Sequence, residues 1–180
     1  MPARMRIVGL VLALIGGQLV GVAHAQTASA TEYRLKSAFL VAFAKLIAWP
    51  DTAFAARTDS LIICVVGEDP FGSVLDAAVE GKLANGRTLQ ARRVDGGDIS
   101  GCHIAFVSTD VRTAREQLVS ELAEASILVV EDGDELTRPD GMLRFFQAER
   151  KLRFELNPQA LGRAGLQPDP KLLQLATIAS

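Results

Sequence analysis

The stretch Leu61-Ile62-Ile63-Cys64-Val65-Val66-Gly67-Glu68-Asp69-Pro70 decides the kind of fold this chain adopts. Its first six residues are apolar at odd and even positions alike, so both faces of the strand they form must be covered. That is the situation of a central strand in a parallel sheet with helices on either side. Gly67 to Pro70 is turn chemistry, with Asp69 placed to cap a helix and Pro70 at its first position. Phe71, Val74, Leu75 and Val79 give the helix Phe71 to Val79 an apolar face, and Gly81 ends it.

On the C-terminal side, Asn85-Gly86 marks a tight turn into a half-exposed strand, Thr88 to Val94. Ile104 to Ser108 reads as a second buried strand, Arg112 to Glu124 as a helix showing Ala114, Leu118 and Leu122, and Ser126 to Val130 as a third buried strand. Strand, helix and strand in alternation predict parallel pairing. After the acidic loop Glu131 to Glu135, Met142 to Gln147 and Lys151 to Leu156 should pair as an antiparallel hairpin. Asn157-Pro158 opens a short helix to Arg163 that Gly165 terminates, and Lys171 to Ile178 is expected to be the last helix.

On the N-terminal side, Leu35, Phe39, Phe43 and Leu46 recur at helical spacing between Thr31 and Ala48, with Val41, Ala44 and Ile47 widening the apolar face. Trp49-Pro50 stops that helix, because the residue before proline is steered out of helical angles. A helix this apolar packs on the sheet of its own domain, or offers Phe39, Phe43 and Trp49 to a partner. Its apolar character also makes a homodimer a reasonable expectation. The expected architecture is a single α/β domain over residues 31–180: a mixed, mostly parallel sheet flanked by helices, with a C-terminal β-hairpin and short helices.

The chain starts with Arg4 and Arg6, an apolar run from Ile7 to Val22, and Ala23-His24-Ala25. This predicts a signal peptide over residues 1–25 cleaved after Ala25, an exported protein beginning at Gln26, and a flexible leader of small polar residues from Gln26 to Ala30. A membrane anchor is the alternative, although so short a run is marginal against the ~20 residues a bilayer requires. Losing Arg4 and Arg6 leaves 17 basic against 21 acidic side chains, a net charge of −4. That balance argues against nucleic acid, and the pairs Arg92-Arg93 and Arg150-Lys151 have acids nearby and no stacking aromatic beside them.

Two cysteines in an exported domain can pair, and Cys64 and Cys102 flank or lie in strands expected to be neighbours. Two buried free thiols are the alternative. The sequence offers little to catalysis or to cofactors. His103 is the only histidine after the leader, no Gly-x-Ser-x-Gly elbow is present, and no second Cys or His pair completes a metal site. The turn Gly67 to Gly72 stands where a phosphate loop would, yet carries Glu68, Asp69 and a proline and would repel a phosphate. Arg144, Arg150 and Arg153 on the hairpin are the one hint of a small anionic ligand, with Arg144 and Arg153 the residues to hold it.

Taken in order, several segments resemble the YfiR family of periplasmic regulators. They are Tyr33 to Lys45 leading to Trp49-Pro50, Ile63 to Gly72, Asn85-Gly86-Arg87, Cys102-His103-Ile104, Gly141-Met142, Arg153 to Asn157, Gly165-Leu166 and Lys171 to Leu173. The resemblance implies a non-enzymatic brake that inhibits an inner-membrane diguanylate cyclase through its periplasmic portion, modulates cyclic-di-GMP, and is itself sequestered by an outer-membrane lipoprotein. By the same likeness Cys64 and Cys102 match the family's cysteine pair, which supports the disulfide, and a small-ligand-binding domain is the other function considered. The chain lacks the second cysteine pair of the family's best-known member.

Overall fold

The computed structural model describes residues 20–56, 59–94, 98–108, 112–122, 125–133 and 141–179. Helix α1 spans Val20–Leu46 and is followed by a two-residue strand, β1, Ile47–Ala48. The helix stops there because its last carbonyls find other partners: the Asp169 N–H donates to the Leu46 oxygen at 2.7 Å and the Asn85 amide to the Ile47 oxygen at 3.1 Å. Most of the expected signal peptide, residues 1–19, lies outside the described residues. Residues 26–30, expected as a flexible leader, continue α1 while residues 1–25 are attached, and Ala28 and Ala30 have high helix propensity.

A short 3-10 turn, Asp51–Ala53, leads to β2, Leu61–Val66. Then come α2 (Ser73–Val79), β3 (Leu83–Ala84), β4 (Arg87–Val94), β5 (Ile104–Val107), α3 (Arg112–Leu122) and β6 (Leu128–Asp132). The chain continues with β7 (Leu143–Ala148), β8 (Lys151–Leu156), α4 (Pro158–Arg163), β9 (Gln167–Pro168), α5 (Pro170–Leu175) and β10 (Thr177–Ile178). The main sheet has eight strands in the order β10-β8-β7-β6-β5-β2-β4-β3, and β1 pairs separately with β9. Pairing is parallel from β4 through β7, and antiparallel for β7 with β8 and β3 with β4. The expected mixed, mostly parallel α/β domain is the observed one.

The register sorts the two faces. Ile63, Ile104 and Leu128 lie abreast, as do Val130 with Leu143 and Phe145 with Phe154. This face lies under α1 and α2: Phe39 and Phe43 of α1 meet the rings of Phe145 and Phe154 at 5.1–5.8 Å, and Phe71, before α2, meets Phe106 at 4.8 Å. The opposite face carries Cys64, Ala105, Val129 and Arg144. Right-handed crossovers running from β2 to β4 in one direction and from β5 to β6 in the other place α2 and α3 on opposite faces.

Several boundaries and one helix face differ from expectation, among them β6, which runs Leu128–Asp132 where Ser126 to Val130 was expected and so draws Glu131 and Asp132 out of the expected acidic loop. The helix after β2 begins at Ser73 instead of Phe71, since Asp69 accepts the Phe71 N–H at 2.8 Å in a turn of its own. The last helix ends at Leu175, and the β-branched Thr177 and Ile178 take the parallel place beside β8. On α1 the buried stripe is Lys36, Leu40, Phe43 and Ala44, continued by Ile47 of β1, whereas Leu35, expected inside, is 48% exposed.

Candidate functional site

A sheet whose order reverses between β2 and β5 offers a crevice at the carboxyl ends of those strands, the usual ligand position in open α/β folds. Here Ser108 draws that crevice together. Its N–H donates to the Val66 carbonyl at 2.9 Å and its hydroxyl to the Glu68 carbonyl. Asp69 beside it is held by Arg93 at 2.8 Å, and the same guanidinium reaches Asp76 and the Gly72 carbonyl. The Asp76 hydrogen bond, helped by the one to Asp69, outweighs burial and raises the arginine's pKa further. Arg93 is therefore part of the closure of this turn.

Below the crevice, Cys64 and Cys102 form a disulfide with Cα atoms 5.8 Å apart. Cys64 lies in the middle of β2, and Cys102 stands two residues before β5, which pairs with β2. Both are buried. Arg92, opposite Cys64 on β4, donates to the Ser100 carbonyl at 2.6 Å and to Cys102 Sγ at 3.0 Å.

Further charged groups are buried at the other end of the sheet. Lys36 is 1% exposed, and its Nζ lies 2.5 Å from both Glu32 Oε1 and Asp132 Oδ2, above the Tyr33 ring. Burial alone would lower its pKa, but the hydrogen bonds to Asp132 and Glu32 hold the ammonium above its ordinary value. Burial raises the Tyr33 phenol, partly against the attraction of Lys36. A cavity of about 330 Å³ opens beside this pair, lined by Glu32, Asp132, Gly133 and hairpin residues including Phe145, Phe146 and Gln147. Gln147 donates to Glu32 at 2.9 Å, so both carboxylates at its mouth already carry partners.

The arginines expected to hold an anion are placed on one face of the hairpin, with Arg144 opposite Glu155 and Arg153 opposite Phe146. Arg144 is buried, gives Nε and Nη2 to Glu155 Oε2 at 3.0 and 2.5 Å, and gives Nη1 to the Gly133 carbonyl. Arg153 is exposed and pairs loosely with Glu149 at 3.3 Å. An anion would have to displace Glu155 to reach Arg144.

Of the three aromatics considered for a partner, Phe43 has no exposed surface and Phe39 and Trp49 are half-buried against the core. Among the described residues, four large apolar side chains do stand at the surface: Leu35, Leu83, Leu175 and Ile178. Lys36 went unnoticed in the sequence although the signal was present, since it lies four and seven residues before Leu40 and Phe43 on the buried stripe and four after Glu32. Among the described residues no group of three or more His, Cys, Asp or Glu side chains is arranged to hold a metal, and no helix is long and apolar enough to cross a membrane.

A family model described as YfiR/HmsC-like matches residues 33–177, from Tyr33 on α1 to Thr177 on β10. That family is regulatory in character rather than catalytic, and it is associated with the periplasm and with cyclic-di-GMP signalling. With the match running through both ends of the eight-stranded sheet and both cysteines, the chain belongs to the YfiR/HmsC-like family.

Proposed function

We propose that this protein is a periplasmic inhibitor that restrains an inner-membrane diguanylate cyclase by contact with its periplasmic portion, and that an outer-membrane lipoprotein relieves the restraint by sequestering it. The family match over residues 33–177 carries this reading. Its support in the fold is the way the chain disposes of its polar groups. Lys36, Arg93 and Arg144 are committed to internal carboxylates, while Leu35, Leu83, Leu175 and Ile178 are left at the surface. Phe39 and Trp49 are half-buried, with Phe43 stacked on Phe39 at 6.0 Å. Leu83 and Ile178 sit on the two edge strands of the sheet, β3 and β10, where another protein or a second copy can add by contact, which suits binding better than turnover.

Two measurements test the reading. Deleting the protein from its host should raise cyclic-di-GMP, and restoring it should lower the level again. Affinity capture from envelope extracts with the oxidised protein should recover a membrane protein carrying a cyclase domain, and a Cys64→Ser protein should recover less of it. Unchanged cyclic-di-GMP on deletion would remove the proposal. The ligand-binding alternative predicts a raised melting temperature with small anions, lost in Arg153→Ala.

A further inference from the structure

His103 is buried, yet every polar atom it owns is engaged, and the partners come from three separate parts of the chain. Its backbone N–H donates to the Ile62 carbonyl at 2.9 Å, and its carbonyl accepts the Leu128 N–H at 2.8 Å and Trp49 Nε1–H at 3.3 Å. The ring closes the set. Nδ1 lies 3.2 Å from the Ile62 N–H, and Nε2 lies 3.2 Å from the Ala53 carbonyl oxygen. Those partners fix the tautomer, because an amide can only donate and a carbonyl can only accept: Nδ1 is bare and Nε2 carries the proton. Phe54 stacks on the imidazole at 4.3 Å, and the Arg87 guanidinium lies 3.5 Å over the far face of Phe54.

This geometry has no room for a second ring proton. An imidazolium would aim Nδ1–H at the Ile62 N–H, so one hydrogen bond at the start of β2 becomes a repulsion. The surrounding charges are mixed: Arg87 and Arg92 from β4 oppose a cation at this position, and Asp59 before β2 favours one. Nε2–H would stay on the Ala53 carbonyl, so a ring turning away from Ile62 pulls the Ala53-Phe54 segment with it. We propose that His103 is an acid-released latch: neutral, it ties Ala53 and Phe54 to the start of β2 through the Ile62 N–H, and protonated, its ring swings off Ile62 and carries Ala53 and Phe54 away from β2. The Trp49 bond to the His103 backbone carbonyl is untouched by that step, so Phe54 is uncovered and water reaches the surroundings of Trp49, and acidity would set how much apolar surface the protein presents. This does not depend on which partner the protein has.

The direction with pH follows from the same contacts. Burial, aided by Arg87 and Arg92, pushes the imidazole below its ordinary pKa of 6.5, against the pull of the Ala53 carbonyl and Asp59. A group whose folded value is depressed supports the closed state above its unfolded pKa and withdraws that support as pH falls towards the folded one. The latch is therefore closed at neutral pH and opens on the acid side of 6.5.

Trp49 is the only tryptophan in the chain, so its emission reports on the latch alone. In the oxidised protein the emission should shift to the red as pH falls below 6.5, with the steepness of one proton and before the far-ultraviolet circular dichroism changes. In His103→Asn, whose carbonyl can still accept the Ile62 N–H but does not titrate, the shift should vanish over the same range. An emission that stays constant until the dichroism collapses overturns the latch, as does an unchanged midpoint in His103→Asn. Should that variant not fold, the ring-proton resonance of His103 in the unsubstituted protein decides: it must titrate at the midpoint of the Trp49 shift, and two separate midpoints refute the proposal.

Discussion

The two halves of the eight-stranded sheet are held by different means. In the half made of β5, β2, β4 and β3, the central strands β2 and β5 are apolar on both faces, a disulfide ties β2 to the approach to β5, and the hairpin turns through Asn85-Gly86. In the half made of β6, β7, β8 and β10, aromatic rings pack under α1 and two buried cations find carboxylates, Lys36 with Asp132, 96 residues away, and Arg144 with Glu155 across the hairpin. The first half is specified by local pattern and one covalent bond. The second is specified by the register of its hairpin and by contacts that exist only once α1 has docked.

The largest effect expected from breaking this contrast is in the second half. Phe43→Ala removes a fully buried ring in contact with Phe39, Phe145 and Phe154. It should destabilise the protein by about 3–5 kcal/mol in urea unfolding, the range for a buried aromatic truncated to alanine. Hydrogen exchange should show the loss first in β7 and β8. Protection lost equally in β2 and β4 would mean that the halves are not separable.

Next in size is the covalent tie. Replacing Cys64 and Cys102 together by alanine opens a loop with a sequence separation of 38. The chain-entropy model gives a loss of about 3–4 kcal/mol. Because the cross-link acts mainly on the unfolded chain, protection should fall across the whole sheet rather than in the first half alone, in contrast to Phe43→Ala.

These unequal devices also explain which parts of the fold were legible in the sequence. Leu61 to Val66 needs no partner to declare itself, since a run apolar on both sides has few places to go, and Asn85-Gly86 names its own turn. Asn157 was readable as a cap for the same reason and accepts the Ala160 N–H at 3.1 Å. The docking face of α1 was read one position off, through Leu35, because the true stripe includes a lysine whose burial depends on Asp132, 96 residues away. Arg144 looked available for a ligand because Glu155 becomes its partner only through the register of β7 and β8. Strands β1, β3, β9 and β10 are two residues each, too short for any period to appear, and exist because an open edge or a bare carbonyl adjoins them.

The two hairpin turns sharpen the contrast at smaller scale. Both are two-residue loops with positive φ at each position, 51° and 79° for Asn85 and Gly86, 53° and 60° for Glu149 and Arg150. Asn-Gly suits those angles, and Glu-Arg does not, since Cβ crowds the carbonyl there. Replacing Glu149-Arg150 by Asn-Gly should therefore stabilise the protein by about 1 kcal/mol, after allowance for the freedom glycine adds to the unfolded chain. Gly86→Ala should destabilise it by about 1–2 kcal/mol. Thermal unfolding of the two variants, moving in opposite directions, checks both.

The smallest change is expected where the second half looks most deliberate. Lys36→Met takes a buried cation out of contact with Glu32 and Asp132 and puts an apolar chain of similar length in its place. The two carboxylates are left with side chains 29% and 28% exposed, so water can solvate them, and Met keeps the packing beside Leu40. Removing one partner of a buried ion pair is costly when the charge left behind stays buried, but here both carboxylates can meet water, and the change at pH 7 should stay within about 1 kcal/mol. The pH dependence separates the forms more clearly than the magnitude does. Because the folded pKa of Lys36 is raised above its ordinary 10.5, its contribution is present in full below that value and is lost only as pH climbs through the folded one. The unsubstituted protein should thus lose stability on the alkaline side by a step that Lys36→Met lacks. A loss of several kcal/mol at neutral pH would instead show that the charge itself fixes α1 on the second half.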